Sequence, residues 1–141
     1  MIAAAGLALA LSVSPVMDDV VPPMPVDAAT QAFEDCVGFR ESRNDPTAVS
    51  RTGKHRGRFQ VTPAMARGMA WHLLPWLRTW HADATGYAMQ LRRTPMNQWP
   101  VEMQDAAFVL TLHHDGKKWS GWRHWYLAGS ECNRLVPGWA R

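Results

Sequence analysis

The chain lacks the features that would tie it to a bilayer, a metal ion or a repeat architecture. Its one long apolar run, Ile2 to Val13, is too short to span a membrane comfortably, and no Lys or Arg precedes it. Its length and small residues fit the core of an export signal, so residues 1–14 are expected to be a signal-like apolar leader and the mature chain to have no membrane span. Cysteine is nearly absent: Cys36 and Cys132 stand alone, without a CxxC or Cys/His spacing, and no zinc site or other metal site is expected. In an exported chain the two would form one disulfide, and in a reducing compartment they would be two separate buried thiols. Lysine is scarce beside arginine, and the basic residues are scattered rather than gathered into a stripe. The net charge of +3 and pI near 9.2 favour an anionic surface, for which a wall polymer serves as well as nucleic acid. No nucleic-acid-binding motif accompanies the charge, so nucleic acid is not expected as a partner. No internal repeat, low-complexity tract or cofactor motif is present, and a monomer without cofactor is the expectation.

What is present is a chain of 141 residues, 47% apolar and with eight Trp, which is enough for one packed domain and excludes a disordered chain. Residues 15–26 carry Pro22, Pro23 and Pro25 and are expected to be an extended linker, leaving 27–141 as the domain. Asp27 can cap a helix whose apolar positions Ala29, Ala32, Phe33, Cys36 and Val37 follow helical spacing, ending near Glu41 to Arg43 before the breaker Asn44-Asp45-Pro46. Gly53 and Gly57 punctuate Ser50 to Val61, which predicts a small hairpin or an irregular β-tongue. Thr62-Pro63 is an N-cap followed by proline at the first helical position, opening a helix to about Trp71, and Pro75 breaks the pattern. A weaker helix spans about Ala82 to Arg93. Trp99-Pro100 opens a clearer one, with Val101, Ala107, Phe108 and Leu112 inward, Gln104 and Asp105 on the other side, and Asp115-Gly116 as its stop. The tail is rich in Trp, and Trp119, Trp122 and Trp125 read as one packed side near Cys132. The fold class is therefore mostly α, a small helical domain with one short β element.

The stretch from Phe39 to Pro63 is unlike the rest. It places a lone carboxylate, Glu41, at the end of an apolar helix and follows it with a glycine-punctuated loop. A carboxyl at the rim of an apolar face is partly desolvated, and desolvation favours the neutral acid, the form that protonates a poor leaving group. Gly53 and Gly57 let the backbone turn tightly and approach a ligand closely, with Gln60 and its apolar neighbour Phe59 following. By spacing alone a glutamate at a helix end is ordinarily a solvated residue.

The residues themselves carry more. The stretch ESRNDPTAVSRTGKHRGRFQVTPAMA resembles the catalytic signature of the lysozyme-like superfamily, in particular the lytic transglycosylases, through Glu41, Ser42, Pro46, Ala48, Ser50, Gly53, Gly57 and Gln60, with Pro63 and Ala66 continuing it. The interval from Gly53 to Gly57 is one residue longer than the commonest form. The rest is similar to the branch that contains the resuscitation-promoting factors and related phage domains, in which a Cys shortly before the Glu pairs with one near the C-terminus; Cys36 and Cys132 correspond. The resemblance spans about residues 30–135 and is strongest over 36–66. It implies an α+β lysozyme-like fold, a β-hairpin flanking a groove, and cleavage of the β-1,4 bond between N-acetylmuramic acid and N-acetylglucosamine in peptidoglycan. Glu41 would be the acid and then the base, Gln60 would lie in the groove floor, and Ser50 and Phe59 would stand on the substrate side, with Ser50 and Ser42 also bracing the loop. The Tyr-Asn-Ala-Gly motif of the transglycosylases is absent, and neither Tyr87 nor Tyr126 takes its place.

The number of carboxylates decides between reactions. A hydrolytic glycosidase ordinarily sets a second carboxylate across from the acid. Ser50 to Val61 holds no Asp or Glu, and Asp45, within a helix-ending turn, reads as a cap. A single carboxylate favours a lytic transglycosylase giving 1,6-anhydro products. The alternatives are a muramidase on the same bond and a non-catalytic peptidoglycan-binding module of the same fold; each places the protein outside the cell or on its wall. His113-His114 reads as a solvent-facing helix end, and Trp71, Trp76, Trp80 and Trp99 as core, one or two of them lining the groove.

Overall fold

The computed structural model describes residues 19–116 and 119–141, and the apolar leader expected over 1–14 lies outside them. Helix α1 runs Ala28–Ser42, α2 Pro63–His72, α3 Leu74–Leu77, α4 Ala84–Arg93 and α5 Val101–Leu112. A two-stranded antiparallel pair, β1 at Asp115–Gly116 and β2 at Trp119–Ser120, is followed by 3-10 turns at Gly121–Trp125, Glu131–Leu135 and Gly138–Ala140. The chain is mostly helical.

Local chemistry sets the helix starts. The Asp27 carboxylate accepts from the Thr30 N–H at 2.7 Å and opens α1, and the Thr62 hydroxyl accepts from the Met65 N–H at 3.3 Å with Pro63 at the first helical position of α2. Arg43 ends α1 in the left-handed conformation, φ 60°, its N–H turning back to the Phe39 carbonyl. Pro75 falls in the first turn of α3, where its missing N–H costs nothing, so the chain breaks after His72 and restarts.

Helix α5 is the centre, packed by α1 on one side and α2 on another, with α4 lying against α2. Its buried residues, among them Met103, Gln104, Ala107, Phe108 and Leu112, go all the way round it. The expectation that Gln104 faces away from the core is corrected: the side chain is fully buried, because α5 has protein on every side. Phe33, Phe59, Phe108 and Trp125 make the aromatic heart, with Phe59 stacked on Phe108 at 4.3 Å and Trp125 tilted against Phe108 at 4.4 Å.

Cys36 and Cys132 are joined in a disulfide, which ties the middle of α1 to the turn at Glu131–Leu135. The Pro-rich stretch does not stay clear of the domain: Val21 is buried in the core, and Met24 and Val26 pack against it. Trp99 and Trp125 are buried and Trp122 is half-buried, while the side chain of Trp119 lies outside the described set. The expected β-hairpin at Ser50–Val61 is an irregular tongue. Its pairing consists of isolated bridges, Val49 with Arg56 and Arg56 with Val61, because Gly53, Gly57 and Gln60 all take positive φ and no ladder can run through them. Among the described residues no helix is long and apolar enough to cross a membrane.

Candidate functional site

Glu41 is in the last turn of α1, and the tongue is folded against that end of the helix. The Ser42 hydroxyl donates to the Arg58 carbonyl at 2.7 Å. Ser50 braces the tongue tip: its Oγ accepts from the His55 N–H at 3.1 Å, and its own N–H donates to the His55 carbonyl at 2.9 Å. Gln60 holds a left-handed backbone, φ 49°, and its amide donates to the Gly57 carbonyl at 2.9 Å. Gly57 cannot carry a side chain, since a Cβ there would come within 2.6 Å of Gln104 Oε1 and of Met96 Cγ. Thr47 holds the Asp45 carboxyl below its usual range by hydrogen bonds from its hydroxyl and its N–H, so Asp45 is a turn cap.

These elements enclose a cleft of about 350 Å³ whose lining includes Glu41, His55, Phe59, Gln60, His124 and Trp125. Met65 and His124 also line a neighbouring cleft of about 370 Å³ that reaches His72, Thr111 and His114. Of the residues singled out from the sequence, Glu41, Gln60 and Phe59 come together here. Phe59 does so as a core residue, 2% exposed, and Ser50 is not part of the lining.

The environment of Glu41 differs from the apolar rim expected of it. Arg40 donates to Glu41 Oε1 from Nε at 2.9 Å and from Nη2 at 2.6 Å. The same guanidinium reaches the Trp125 carbonyl at 2.7 Å and the Ser130 hydroxyl at 3.1 Å. The helix-end geometry brings Arg40 round to the tail, and a charged neighbour takes the place of an apolar one. Among the described residues Oε2 has no hydrogen-bond partner.

Beneath the tongue lies a charged hub that the spacing of residues does not signal. Arg58, 8% exposed, donates to Asp105 at 2.7 Å, Asp35 at 2.9 Å, Asn44 at 3.1 Å and Glu34 at 3.4 Å. Its N–H donates to Gln104 Oε1 at 2.8 Å. One guanidinium cannot neutralise three carboxylates, and Glu34 is the most buried of them. Burial, then the nearby Asp105 charge, pushes the Glu34 carboxyl up to about 8 against the opposing pull of Arg58. Burial also raises Asp105. The hub fixes the tongue to α1 and α5 and so sets the floor of the cleft.

His55, Met65, His124 and Trp125 are cleft residues that the sequence reading does not single out. For Trp125 the signal was the Trp-rich segment, read there as packing. Partial desolvation, followed by the repulsion of neighbouring imidazoles, holds the half-buried His72 and the more exposed His124 below their ordinary values, which favours the neutral ring at both. His72 stacks on His114 at 4.6 Å, and the exposed His113 stacks on Trp139 at 4.0 Å. Among the described residues no group of three or more His, Cys, Asp or Glu side chains could hold a metal ion.

No family model, curated protein or solved structure matches this chain.

Proposed function

We propose that this protein is a lysozyme-like enzyme acting outside the cytoplasm, which cleaves the β-1,4 bond between N-acetylmuramic acid and N-acetylglucosamine in peptidoglycan. One observation carries the reading: Glu41 is the sole carboxylate among the described residues lining the cleft. A lone carboxylate favours a lytic transglycosylase. Glu41 protonates the glycosidic oxygen as the C1–O bond breaks, and the substrate's own acetamido carbonyl covers C1. The muramic 6-hydroxyl then attacks C1 and returns a proton to the Glu41 carboxylate. No water is consumed, the enzyme ends in its starting protonation state, and the product carries a 1,6-anhydro ring.

Arg40 holds the Glu41 carboxyl group by Oε1, and Oε2, with no hydrogen-bond partner among the described residues, is the oxygen left to exchange the proton in both steps. The proton of the first step belongs on Oε2, away from the guanidinium. Gln60, with its amide already donating to the tongue, offers its carbonyl oxygen to a sugar hydroxyl or acetamide N–H. Phe59 and Trp125, both buried, back the cleft from the core and fix the shape of its floor. The neighbouring cleft gives a polymer room to extend. The disulfide fits an oxidising compartment.

Hydrolysis of the same bond is the second reading, favoured by His55 and His124, which line the cleft with Glu41. A neutral imidazole can take a proton from an attacking water, and partial desolvation favours the neutral ring at the largely exposed His124.

Dye release from purified, labelled peptidoglycan tests the reading. The wild type is expected to solubilise the wall and Glu41→Gln to do so about 100-fold more slowly or worse. Glycan binding without release by either protein would replace the enzyme with a wall-binding module.

A further inference from the structure

Another concavity, of about 220 Å³, shares Val61 and Thr62 with the Glu41 cleft, and Arg56, Arg67, Arg92 and Arg93 line it. They come from three elements: Arg56 from the tongue, Arg67 from α2, and Arg92 and Arg93 from the last turn of α4. No carboxylate lines this pocket, and none of the arginines has an acidic partner among the described residues. The contrast with Arg58 and Arg40 is direct, since both of those are neutralised by carboxylates. Like charges gathered without a counter-ion repel one another, so the arrangement is unfavourable until an anion enters it.

Two of the guanidiniums are held in place. Arg92 lies over the Trp71 ring at 4.7 Å, and Arg56 donates to the Gly53 carbonyl at 3.3 Å and to Asn97 Oδ1 at 3.4 Å. Arg67 and Arg93 are exposed at the rim and can close on a ligand. Thr62 and Pro63, which also line the pocket, place the positive end of the ten-residue helix α2 against it. Thr94 also lines the pocket, with its hydroxyl donating to the Gln90 carbonyl and its carbonyl accepting from the Trp99 indole N–H.

We propose that this pocket binds a phosphate group, and that in the wall it takes the phosphodiester of an anionic polyol-phosphate polymer. The charge is the reason for phosphate: a single carboxylate leaves most of the guanidiniums uncompensated, whereas phosphoryl oxygens accept from several arginines at once. The pocket is concave and small, and it shares Val61 and Thr62 with the Glu41 cleft, so a soluble chain beside a glycan strand fits it better than a flat lipid surface. The phosphate site stands by itself; the choice of a wall polymer rests on the peptidoglycan reading of the Glu41 cleft.

The test is calorimetric titration of the full chain with inorganic pyrophosphate at low ionic strength, for the wild type, Arg67→Ala/Arg93→Ala, and the control pair Arg78→Ala/Arg134→Ala. The control removes the same charge from exposed arginines elsewhere. Saturable binding weakened more than about ten-fold in the rim pair and little changed in the control pair is expected. Absence of saturable binding by the wild type, or equal weakening in both pairs, would overturn the site. Glycerol-phosphate oligomers and phosphatidylglycerol vesicles are then offered as competitors. Displacement by the oligomer is expected, and displacement by vesicles alone, or by neither, contradicts the polymer. Glu41→Gln is titrated in parallel: pyrophosphate binding intact in a protein that has lost cleavage separates this site from the reading of the cleft.

Discussion

Arg40 and Glu41 are sequence neighbours whose side chains meet at 2.6 Å, and the guanidinium that holds the carboxylate also holds the Trp125 carbonyl at 2.7 Å. The candidate acid is thereby referenced to the C-terminal segment as well as to its own helix. The Cys36–Cys132 disulfide, one turn earlier in α1, ties the helix to the same C-terminal segment.

Arg40→Ala releases Glu41 Oε1 and unties α1 from Trp125. A carboxylate free to rotate spends less time in the reactive geometry, so kcat on soluble glycan fragments is expected to fall about 10- to 100-fold with little change in KM. Steady-state kinetics of the purified variant would show this. An unchanged kcat would mean that Arg40 does not position the reacting group.

Gln104 accepts from the Arg58 N–H at 2.8 Å and donates to the Pro46 carbonyl at 3.0 Å and the Trp99 carbonyl at 3.1 Å, all from full burial. Gln104→Leu keeps the volume and leaves these backbone groups unpaired. A loss of at least about 3 kcal/mol in urea unfolding is expected, on the basis of about 1–3 kcal/mol for each of the three orphaned buried groups. Gln104→Glu, whose protonated form restores the acceptor and one O–H donor in place of the two N–H donors, should recover part of it at low pH.

The Glu34 carboxyl makes stability fall with rising pH. Its pKa is about 8 in the folded chain against 4.5 as the ordinary value, so between those limits the folded state holds a proton that the unfolded state has lost. Stability from this group is fully present below pH 4.5 and is lost as pH rises through about 8. Asp105, raised in the same direction, adds to the slope. Glu34→Gln keeps the neutral shape at every pH, and its unfolding free energy should decline less than that of the wild type between pH 5 and pH 8 (about the window set by the two pKa values). Parallel curves for the two proteins would count against a protonated Glu34.

Much of the backbone was legible because its causes are local. Asp27, Thr62-Pro63 and Asn44-Asp45-Pro46 act within a turn of themselves, and α1 and α2 begin and end beside them. The Arg58 hub was not legible. Spacing puts Gln104 and Asp105 on the side away from the core and says nothing of Glu34, and the three meet because the tongue delivers Arg58 to them from 46, 47 and 24 residues away. The cleft was half legible: Glu41, Phe59 and Gln60 fall in one short stretch, whereas His124 and Trp125 join them across the whole fold. The tongue failed to form strands for a reason the glycines hinted at, although Gln60 adopting positive φ could not be read from its residue type.

Reduction of the disulfide removes a cross-link spanning 96 residues. In the chain-entropy account a loop of that length stabilises by about 4–5 kcal/mol. The reduced protein, or Cys36→Ser/Cys132→Ser, is expected to unfold at much lower denaturant concentration, and wall solubilisation should fail first at elevated temperature. Denaturant midpoints with and without reductant would measure it.

The central claim is that Glu41 works alone. It is tested most directly by mass spectrometry of the soluble products released from purified peptidoglycan by the wild type and by Glu41→Gln. Anhydro-ended muropeptides from the wild type, and none from the variant, are predicted. Reducing-ended products that vanish in the variant would contradict the single-carboxylate mechanism and turn attention to His55 and His124 as the partner base. No products from either protein, across walls of different chemistry, would contradict catalysis by this cleft.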